Sequence, residues 1–597
     1  MSSDVLKRLA SLPADKREQL MRQLREKAAR TQQPAIPTLP RDAAAYPLSF
    51  AQQRLWFMDQ LEPGSPAYNI PAAVRMVGTL DVAALERSAS ELVRRHESLR
   101  TTFRQEQEGP VQVIGPATPV TVSVVDLGHL PEGSRDEEAL RLAREEALRP
   151  FDLIRGPLFR ATLLKLSPQE HILLLTMHHI VSDGWSMGVF IREVATLYDA
   201  QLSGRPSPLS EPGLQYVDYA AWQRGWLQGE VLDTQLGFWR RQLTGAPPVL
   251  ELPTDRPRPA MQSFRGSTVP VRLSKEASEA LKALCQKENA TPFMALLAGW
   301  QVVLSRYSGQ DDISVATPIA GRNRGALEGL IGVFINTLVL RARVDGTLSF
   351  RQLLGQVRET TLGAYAHQDL PFEKLVDALQ PERNLSHTPL AQVMIALQNA
   401  PVGAVSLPGV VLRPLELEGT TAKFDLSLTL GESEQGFGGV LEYATDLFDA
   451  STVTRLAGHV QTLLEALVAR PDAPLATLSL LSDSERNLLS RGWNDTAYEY
   501  PRESCIHDVF ARQAALRPDA IALESSDQRL TYCQLDERAN QWAHLLRRHG
   551  VGPDSRVALC LERSVELIVS LLGILKAGGC YVPLDASYPR ERLVHML

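Results

Sequence analysis

The residues best suited to chemistry lie in one short stretch, MHHIVSDGWS. It contains two adjacent histidines, His178 and His179, followed by Asp183 and Gly184. Histidine is the side chain that most readily acts as a general base near neutral pH. Asp183 could orient an imidazole or pair with an arginine that fixes the loop. Gly184 would let a backbone N–H approach a developing oxyanion closely, and the start of a helix favours negative charge.

The elements that must position this stretch are a strand and a helix. Residues 170–177, EHILLLTM, form a short apolar run that predicts a buried strand. Residues 185–202 predict a helix, because their apolar residues recur at helical spacing. A loop between the two can hold a side chain rigidly and still expose it. If the strand continued, adjacent side chains would face opposite ways, so we expect only one histidine to reach a cleft.

Chemistry alone leaves the role of this stretch open. A histidine in a loop is most often only a hydrogen-bonding residue, whereas the fuller HHxxxDG pattern equally supports a catalytic role. A zinc site is disfavoured, because adjacent histidines chelate one ion poorly and no third ligand is suitably spaced. A Ser-His-Asp triad is disfavoured too, because no GxSxG elbow precedes His179.

The composition of the chain limits the classes of protein to which it can belong. The chain has 597 residues, is 44% hydrophobic and carries a formal net charge of −7, which predicts several globular domains. No strongly basic field indicates nucleic acid. The charged N-terminus is no secretory signal, and the longest apolar run, residues 567–575, is too short to cross a membrane. The five cysteines form no CxxC pair and no metal-ligand spacing, so we expect no metal and a reducing cytoplasm.

The order of predicted elements indicates an α/β fold with a mixed sheet in each of two large blocks, which together form a bilobed body. We expect a helical leader at 1–38, a first block at 39–215, a second at 216–480, a linker at 481–504 and a third region at 505–597. The leader is too small to hold its own core. It is either a packing appendage or a docking segment for an upstream protein.

An ordered series of motifs decides between these readings. The chain resembles the condensation domain of nonribosomal peptide synthetases followed by the beginning of an adenylation domain. The match covers residues 45–597, and Asn384 and Ala391 depart from the family pattern, which often has Asp and an aromatic residue there. The condensation motifs are SFAQQRLWF (49–57), RHESLRTTF (95–103), MHHIVSDGWS (177–186), YVDYAAWQ (216–223), IGVFINTLVLR (331–341), HQDLPFEKLV (367–376) and RNLSHTPLAQVM (383–394).

The resemblance implies a fold and a reaction. The fold would be two chloramphenicol-acetyltransferase-like lobes in a V shape with a central tunnel, followed by a partial α/β adenylation subdomain. A donor acyl or peptidyl thioester and an acceptor aminoacyl thioester would enter from opposite sides. Each would ride on a 4'-phosphopantetheine arm of a separate carrier domain, with no cofactor bound covalently to this chain. The acceptor α-amine would attack the donor thioester and form an amide.

The resemblance also divides the roles in the central stretch. His179 aligns with the catalytic histidine of the family, as a base or as a residue that orients the amine. An α-amine titrates near neutrality, so positioning can matter as much as proton removal. His178 is left as support and Gly184 as a backbone donor. Asp183 would be structural, paired with an arginine of the second lobe, for which Arg322 is the first candidate and Arg306 the second.

A few motif residues indicate the subtype of condensation domain. Arg54 with its neighbours, residues 68–71 and HQDLPFEKLV resemble domains that join an L-configured donor to an L-configured acceptor. His178 argues against the heterocyclisation subtype, which has Asp at that position.

In the third region, LTYCQLDERAN (530–540) and LKAGGCYVPLD (575–585) resemble the first two adenylation motifs. The phosphate loop that should follow is absent from this sequence, so we expect no adenylation activity.

The expected partners are donor and acceptor carrier domains, and an upstream synthetase or polyketide synthase that docks through residues 1–38. We expect a monomer that binds neither nucleic acid nor membrane. Two other functions stay open: a catalytically silent platform for carrier docking, and a stand-alone acyl-CoA-dependent acyltransferase, which shares an HxxxDG loop. The intact HHxxxDG disfavours the first, and the adenylation-like region is unexplained by the second. An epimerase is disfavoured because such domains do not lead into adenylation motifs.

Overall fold

A computed structural model describes residues 35–380, 384–398, 407–415 and 421–597. The chain divides into one compact unit up to Arg486 and a second from Asn487 onward. The helices expected in the leader fall on residues outside the described ones.

The first unit alternates helices and strands. Its helices are α1 (Phe50–Leu61), α2 (Val82–Arg95), α3 (Glu132–Leu148), α4 (Gly184–Leu202), α5 (Tyr216–Trp226), α6 (Gly229–Leu243), α7 (Lys275–Lys287), α8 (Pro292–Ser308), α9 (Phe350–Ala366), α10 (Phe372–Leu379) and α11 (Ala450–Ala469). Its strands are β1 (Tyr46–Pro47), β2 (Asn69–Gly78), β3 (Thr101–Glu106), β4 (Gly109–Ile114), β5 (Ser123–Asp126), β6 (Phe159–Ser167), β7 (Glu170–His178), β8 (Gly266–Arg272), β9 (Asp312–Ile319), β10 (Asn336–Arg343), β11 (Val393–Gln398), β12 (Val410–Leu415), β13 (Leu426–Ser433) and β14 (Gly436–Ala444).

The strand that carries His178 lies at the centre of the first lobe. Its sheet has the order β12-β2-β7-β6-β5, and every residue of β7 after Glu170 is buried, as a continuous apolar run would predict. Helices α2 and α4 cover one face through a shared apolar core, and α3 covers the other. A central strand packed on both sides gives a rigid base to the connection that follows it, residues 178–183, which we call the histidine loop.

The second lobe is built on a six-stranded sheet with the order β10-β9-β11-β13-β14-β8. Helix α8 is buried along most of its length, and it packs with α7, α9 and α11 in the largest apolar core of the chain. The α/β class and the two lobes are therefore confirmed. A separate three-stranded sheet, β1-β4-β3, accompanies the first lobe.

One strand lies in a different sheet from the one its place in the chain suggested. We expected residues 410–416 among the strands of the second block, but β12 pairs antiparallel with β2 in the first lobe, with Val410 opposite Gly78. The open edge of β2 offers it a ladder of backbone hydrogen bonds. The second block thus supplies an edge strand to the sheet that holds His178.

A third apolar core joins the two lobes. From the first lobe it takes residues of α1 and the buried Ile180 and Val181 of the histidine loop. From the second block it takes Tyr216 and a loop segment that includes Val333 and Phe334. The predicted strand over 333–344 begins only at Asn336, because the preceding residues cross to the first lobe.

The second unit has two small sheets with helices. Its elements are α13 (Ile506–Leu516), β15 (Ile521–Glu524), β16 (Arg529–Thr531), α14 (Tyr532–Arg548), β17 (Arg556–Leu559), α15 (Val565–Ala577), β18 (Cys580–Pro583) and α16 (Arg590–Met596). A further helix, α12 (Asp483–Ser490), occupies part of the segment that we expected to be a linker. Helices α14 and α15 provide most of the unit's apolar core.

Candidate active site

The HHxxxDG stretch forms a tight connection between β7 and α4. Strand β7 ends at His178, a single 3₁₀ turn runs from His179 to Val181, and α4 begins at Gly184. Because the strand stops, strand alternation does not set the directions of the two imidazoles. Local hydrogen bonds set them instead.

His178 is a buried residue of the loop itself. It is 4% exposed, and its Nδ1 accepts a hydrogen bond from the Ile180 N–H at 3.2 Å. Its ring packs edge-on against Phe151, with centroids 6.0 Å apart. Burial lowers the pKa of His178 to about 3, and the charge of Lys423 adds to the effect. A neutral imidazole that accepts this bond stabilises the turn, which fits the supporting role.

His179 is the partly exposed histidine of the pair. Its Nδ1 lies 3.2 Å from the Ser182 carbonyl oxygen. Because a carbonyl oxygen can only accept, Nδ1 must carry the hydrogen, and the neutral ring therefore has its lone pair on Nε2. Burial holds the pKa of His179 well below its ordinary value, and the charges of Lys423 and Arg54 lower it further. The ring is thus a neutral hydrogen-bond acceptor at neutral pH.

Asp183 is buried and caps helix α4. Its Oδ1 accepts from the Ser186 N–H at 2.8 Å and from Arg322 Nη2 at 3.2 Å. Its Oδ2 accepts from the Phe334 N–H at 2.9 Å. Each oxygen is therefore engaged by the protein. None of these contacts joins Asp183 to His179, so a triad-like arrangement is not formed.

Arg322 is the arginine that pairs with Asp183 across the lobes. Its side chain is 1% exposed, against 3% for the aspartate. Nη1 donates to the carbonyl oxygens of Leu327 and Leu330, and Nη2 also donates to Ser186 Oγ at 2.7 Å. The second candidate, Arg306, was the wrong partner. It lies at the end of α8 and donates to the Leu475 carbonyl oxygen at 2.6 Å.

A loop of the second block, residues 328–334, is fastened to the start of α4. Ser186 Oγ donates to the Gly332 carbonyl at 2.8 Å and accepts from the Gly332 N–H at 3.1 Å. The Trp185 indole N–H donates to the Glu328 carbonyl at 2.9 Å. With the two Asp183 contacts, these bonds connect the end of the histidine loop and the first turn of α4 to the second lobe.

Tyr216 packs against the loop of residues 328–334 and holds it by a hydrogen bond. Its hydroxyl donates to the Val333 carbonyl at 2.7 Å and accepts from Ser49 Oγ at 2.7 Å. Gly332 lies directly on its ring: a Cβ there would sit 1.9 Å from a ring carbon. The ring and the glycine together let the loop approach α4 closely.

Gly184 is exposed at the first turn of α4. A Cβ at this position would meet no atom within 4 Å. The packing of the described protein therefore does not require glycine here. Close approach by a bound substrate remains the reason that we propose for this residue.

Sequence reasoning did not single out Ser186, Tyr216 or Lys423. The first two lie in quoted motifs, and the spacing of Asp183 to Ser186 is that of a helix N-cap and its N3 residue, a readable signal. No local pattern marks Lys423, which acts on the histidines from the second lobe.

Among the described residues, one group of three side chains has metal-ligand geometry: Cys505, His507 and Asp508, within 4.8 Å of one another. It lies at the start of α13 in the second unit, where Asp508 already accepts from the Cys505 N–H at 3.0 Å. That hydrogen bond is an ordinary helix cap and explains the grouping. No helix in the described part of the chain is long and apolar enough to cross a membrane.

A model of the family described as "Condensation domain" matches residues 42–490. The chain belongs to the condensation-domain family. A second model, "AMP-binding enzyme", matches residues 510–597, so the condensation domain is followed by the start of an AMP-binding domain.

Two curated relatives show how the chain compares with whole synthetases. A linear gramicidin synthase protein of Brevibacillus parabrevis is 51% identical over 576 residues, which are 96% of this chain and 7% of the relative. Phosphinothricin tripeptide synthetase PhsC of Streptomyces viridochromogenes is 41% identical over 598 aligned residues, covering 100% of this chain and 55% of the relative. The chain thus spans a small part of the gramicidin relative and about half of the phosphinothricin one.

Solved structures show the same architecture. A four-domain nonribosomal peptide synthetase bound to AMP and glycine has a TM-score of 0.81 and 26% identity, covering 95% of this chain and 43% of that one. The X-domain from teicoplanin biosynthesis has a TM-score of 0.70 and 30% identity, covering 75% of this chain and 100% of that one. The condensation domain here thus has the two-lobed fold of nonribosomal peptide synthetases.

Proposed function

We propose that this condensation domain forms the amide bond of nonribosomal peptide synthesis. The α-amine of a carrier-bound aminoacyl thioester attacks the carbonyl carbon of a carrier-bound donor thioester. A C–N bond forms and the C–S bond breaks. The amine gives up a proton and the donor arm leaves as a thiol. The observation that carries the proposal is the intact HHxxxDG loop, whose His179 presents a neutral, partly exposed imidazole between two interlocked lobes.

His179 receives the acceptor amine through Nε2. With Nδ1–H directed to the Ser182 carbonyl, the ring has one orientation and one free lone pair. A neutral acceptor there aligns the amine by a hydrogen bond and accepts its proton as the C–N bond forms. Alignment of reactants is worth several kcal/mol in well-oriented systems, and proton transfer adds about 10²–10⁴-fold.

Asp183 and Arg322 hold this geometry without touching the reaction. Their ion pair, with the bonds of Ser186 and Phe334, fixes the loop against the second lobe. Gly184 leaves open space at the first turn of α4, where a backbone N–H and the helix dipole favour a developing oxyanion.

The substrates would be carried on 4'-phosphopantetheine arms of donor and acceptor carrier domains, and the arms would meet in a tunnel between the lobes. The relatives are nonribosomal peptide synthetases, which supports carrier domains as partners. We further propose an L-donor and L-acceptor subtype, a docking role for residues 1–38 and a monomer. A cytoplasmic setting is proposed because all five cysteines are free.

A non-catalytic docking platform is the second candidate. One solved structure gives it support: a complex of the X-domain with OxyB, 31% identical to this chain with a TM-score of 0.68. A domain of this fold can therefore serve as a binding partner. The intact HHxxxDG stretch, with a partly exposed His179, favours catalysis here, but only the reaction separates the two functions.

The test uses the full chain with two separately loaded carrier domains. A donor aminoacyl carrier and an acceptor aminoacyl carrier are mixed with the protein, and the acceptor is analysed by mass spectrometry. A dipeptidyl acceptor carrier supports condensation, and its absence with both carriers bound supports the platform. Replacing the donor carrier by the matching acyl-CoA tests the third function. Equal or faster amide formation from acyl-CoA would assign a stand-alone acyltransferase.

A further inference from the structure

The end of β7 is bordered by a short segment, residues 149–151, that directly follows helix α3. The neighbouring strand on one side, β2, holds this segment through Asn69. The Asn69 Nδ2 donates to the carbonyl oxygens of Ala147 at 2.8 Å and Arg149 at 2.9 Å. Asn69 is also the strand partner of His178. The segment is therefore fixed to the strand position directly beside the first histidine.

The neighbouring strand on the other side, β6, holds the same segment through Arg160. The Arg160 guanidinium donates to the carbonyl oxygens of Pro150 at 3.1 Å and Arg149 at 2.7 Å. Just before β6 begins, the Leu158 carbonyl oxygen accepts from the His178 N–H at 3.0 Å. Because β7 lies between β2 and β6 in the sheet, this segment connects the two strands across the point at which β7 ends.

The last residue of the segment, Phe151, is buried and contacts both Arg160 and His178. The guanidinium carbon of Arg160 lies 3.7 Å from the centroid of the Phe151 ring, a cation–π contact, and its Nε is paired with Glu146 at 2.6 Å. The centroid of the His178 imidazole lies 6.0 Å from that of Phe151, with the ring planes 77° apart. A buried ring in contact with both groups gives His178 a fixed surface to pack against.

The His178 imidazole in turn sets the start of the 3₁₀ turn that carries His179. Among the described residues it makes one side-chain hydrogen bond, in which Nδ1 accepts from the Ile180 N–H. A single bond leaves the ring free to rotate about it, whereas a near-perpendicular aromatic contact also fixes the plane of the ring. Just after the turn, the Ser182 carbonyl lies where the His179 Nδ1–H can reach it. The direction of His179 therefore depends on the shape of this turn.

We propose that Phe151 is a positioning residue for the condensation reaction: its ring, held by Arg160 and packed on His178, keeps the 3₁₀ turn in the shape that directs His179 Nε2 at the acceptor amine. Phe151 acts through His178 and the backbone of the turn. This role rests on the proposed function, because it is defined by the reaction at His179. A misplacement of about 1 Å in a reacting group can cost about 10²-fold in rate, so the loss of the ring should be measurable.

The test compares Phe151→Leu with Phe103→Leu in the full chain. Leucine keeps an apolar side chain but removes the ring. Phe103 is the matched control, because it is buried in the same apolar core and, within the described ranges, has no ring contact with either histidine. We expect Phe151→Leu to lower the maximal single-turnover condensation rate by about 10–100-fold, and Phe103→Leu to change it by less than about twofold.

The dependence of the rate on protein concentration separates positioning from a merely structural role. Loaded carriers are held at a fixed low concentration, and the protein is varied in excess over them. If a substitution only unfolds part of the protein, the half-saturating concentration rises and the maximal rate is unchanged. If it misdirects His179, the maximal rate falls at an unchanged half-saturating concentration. A maximal rate of Phe151→Leu within about twofold of the unaltered protein, or an equal fall in Phe103→Leu, would overturn the proposal.

Arg160→Lys is the second variant, and it replaces Phe151→Leu if that protein does not fold. Lysine retains the positive charge, but it lacks the planar fork that bonds two carbonyl oxygens and stacks on the ring. It should lower the maximal rate in the same way, by a smaller factor. In that case, an unaltered maximal rate in Arg160→Lys would overturn the proposal.

A measurement on the imidazole itself requires no condensation activity. Histidine is labelled with ¹⁵N, and the His179 signals are identified by their loss in His179→Asn. In the unaltered protein and in Phe103→Leu, we expect one neutral tautomer with the hydrogen on Nδ1. In Phe151→Leu, we expect a mixture of both tautomers, because the Ser182 carbonyl is no longer held opposite Nδ1.

The two measurements fail in different ways. Mixed His179 tautomers in Phe151→Leu, together with an unaltered protein that makes no dipeptide, would retain the effect of Phe151 on His179 and reject the proposed function. A single Nδ1–H tautomer in Phe151→Leu would overturn the positioning role and leave the proposed function standing.

Discussion

Replacing Asp183 by alanine should destabilise the first unit strongly. The substitution leaves the Arg322 guanidinium, 1% exposed, without its carboxylate. It also removes the acceptor of the Phe334 N–H and the cap of α4. Breaking a buried ion pair by deleting one partner typically costs about 3–5 kcal/mol. The orphaned amide and the lost cap are each worth about 1 kcal/mol or more when taken alone.

These contributions share the same neighbours and do not simply add. Ser186 Oγ and two backbone carbonyls still accept from Arg322 in the variant. We therefore expect a loss of about 4 kcal/mol in the free energy of unfolding. Urea unfolding followed by circular dichroism, with the transition of the first unit fitted separately, gives this value.

A double-mutant cycle isolates the ion pair. Arg322→Met in the Asp183→Ala background removes the unpaired charge, so the double variant should lose about 1–3 kcal/mol less than the sum of the two single variants. Arg306→Met is the matched control, because Arg306 donates only to a backbone carbonyl and should show no coupling to Asp183. A loss below about 1 kcal/mol for Asp183→Ala would refute the structural role. A normal unfolding curve with lost condensation would instead place Asp183 in the reaction.

Two further predictions concern Gly184 and His178, two other residues of the HHxxxDG stretch. Gly184→Ala should unfold normally, because its Cβ meets no atom within 4 Å, yet it should lower the single-turnover condensation rate by crowding the substrate; an unaltered rate would remove Gly184 from the site. His178 takes up a proton in the unfolded chain at about pH 6.5 but in the folded protein only near pH 3, so stability falls as the pH drops between these values. In His178→Asn, this fall in unfolding free energy should be shallower by about 1.4 kcal/mol per pH unit between pH 6 and pH 4, and an equal slope in both proteins would contradict the buried neutral imidazole.

Elements with strong local signals were predictable from the sequence. The apolar helical patterns over 506–516 and 565–577 predict helices with those bounds, and α13 and α15 have them. For α15, the end signals are clear, because Ser564 caps its start and the left-handed Gly578 follows its end. Helix α6 was missed, because it begins at a glycine with no side-chain cap and has a mixed surface. Strand β8 was missed as well, since its Gly and Pro are both unfavourable in strands.

Contacts between residues far apart in the sequence were harder to predict. The pairing of β12 with β2 depends on which sheet edge is open in the folded chain, and local patterns do not contain that information. The partner of Asp183 lies 139 residues away, and only the family resemblance pointed to Arg322. No local pattern in the sequence predicts the contact between the Lys423 ammonium group and the Tyr68 ring, 4.9 Å from Nζ to the ring centroid.

The rate of dipeptide formation in a single turnover is the most direct test of the role of His179. Equal amounts of donor-loaded and acceptor-loaded carrier are mixed with excess protein, quenched over time and analysed by mass spectrometry. We expect His179→Ala to slow the reaction by about 10²–10⁴-fold while its unfolding transition stays normal. A dipeptide yield and rate equal to those of the unaltered protein would show that His179 does not take part in amide formation.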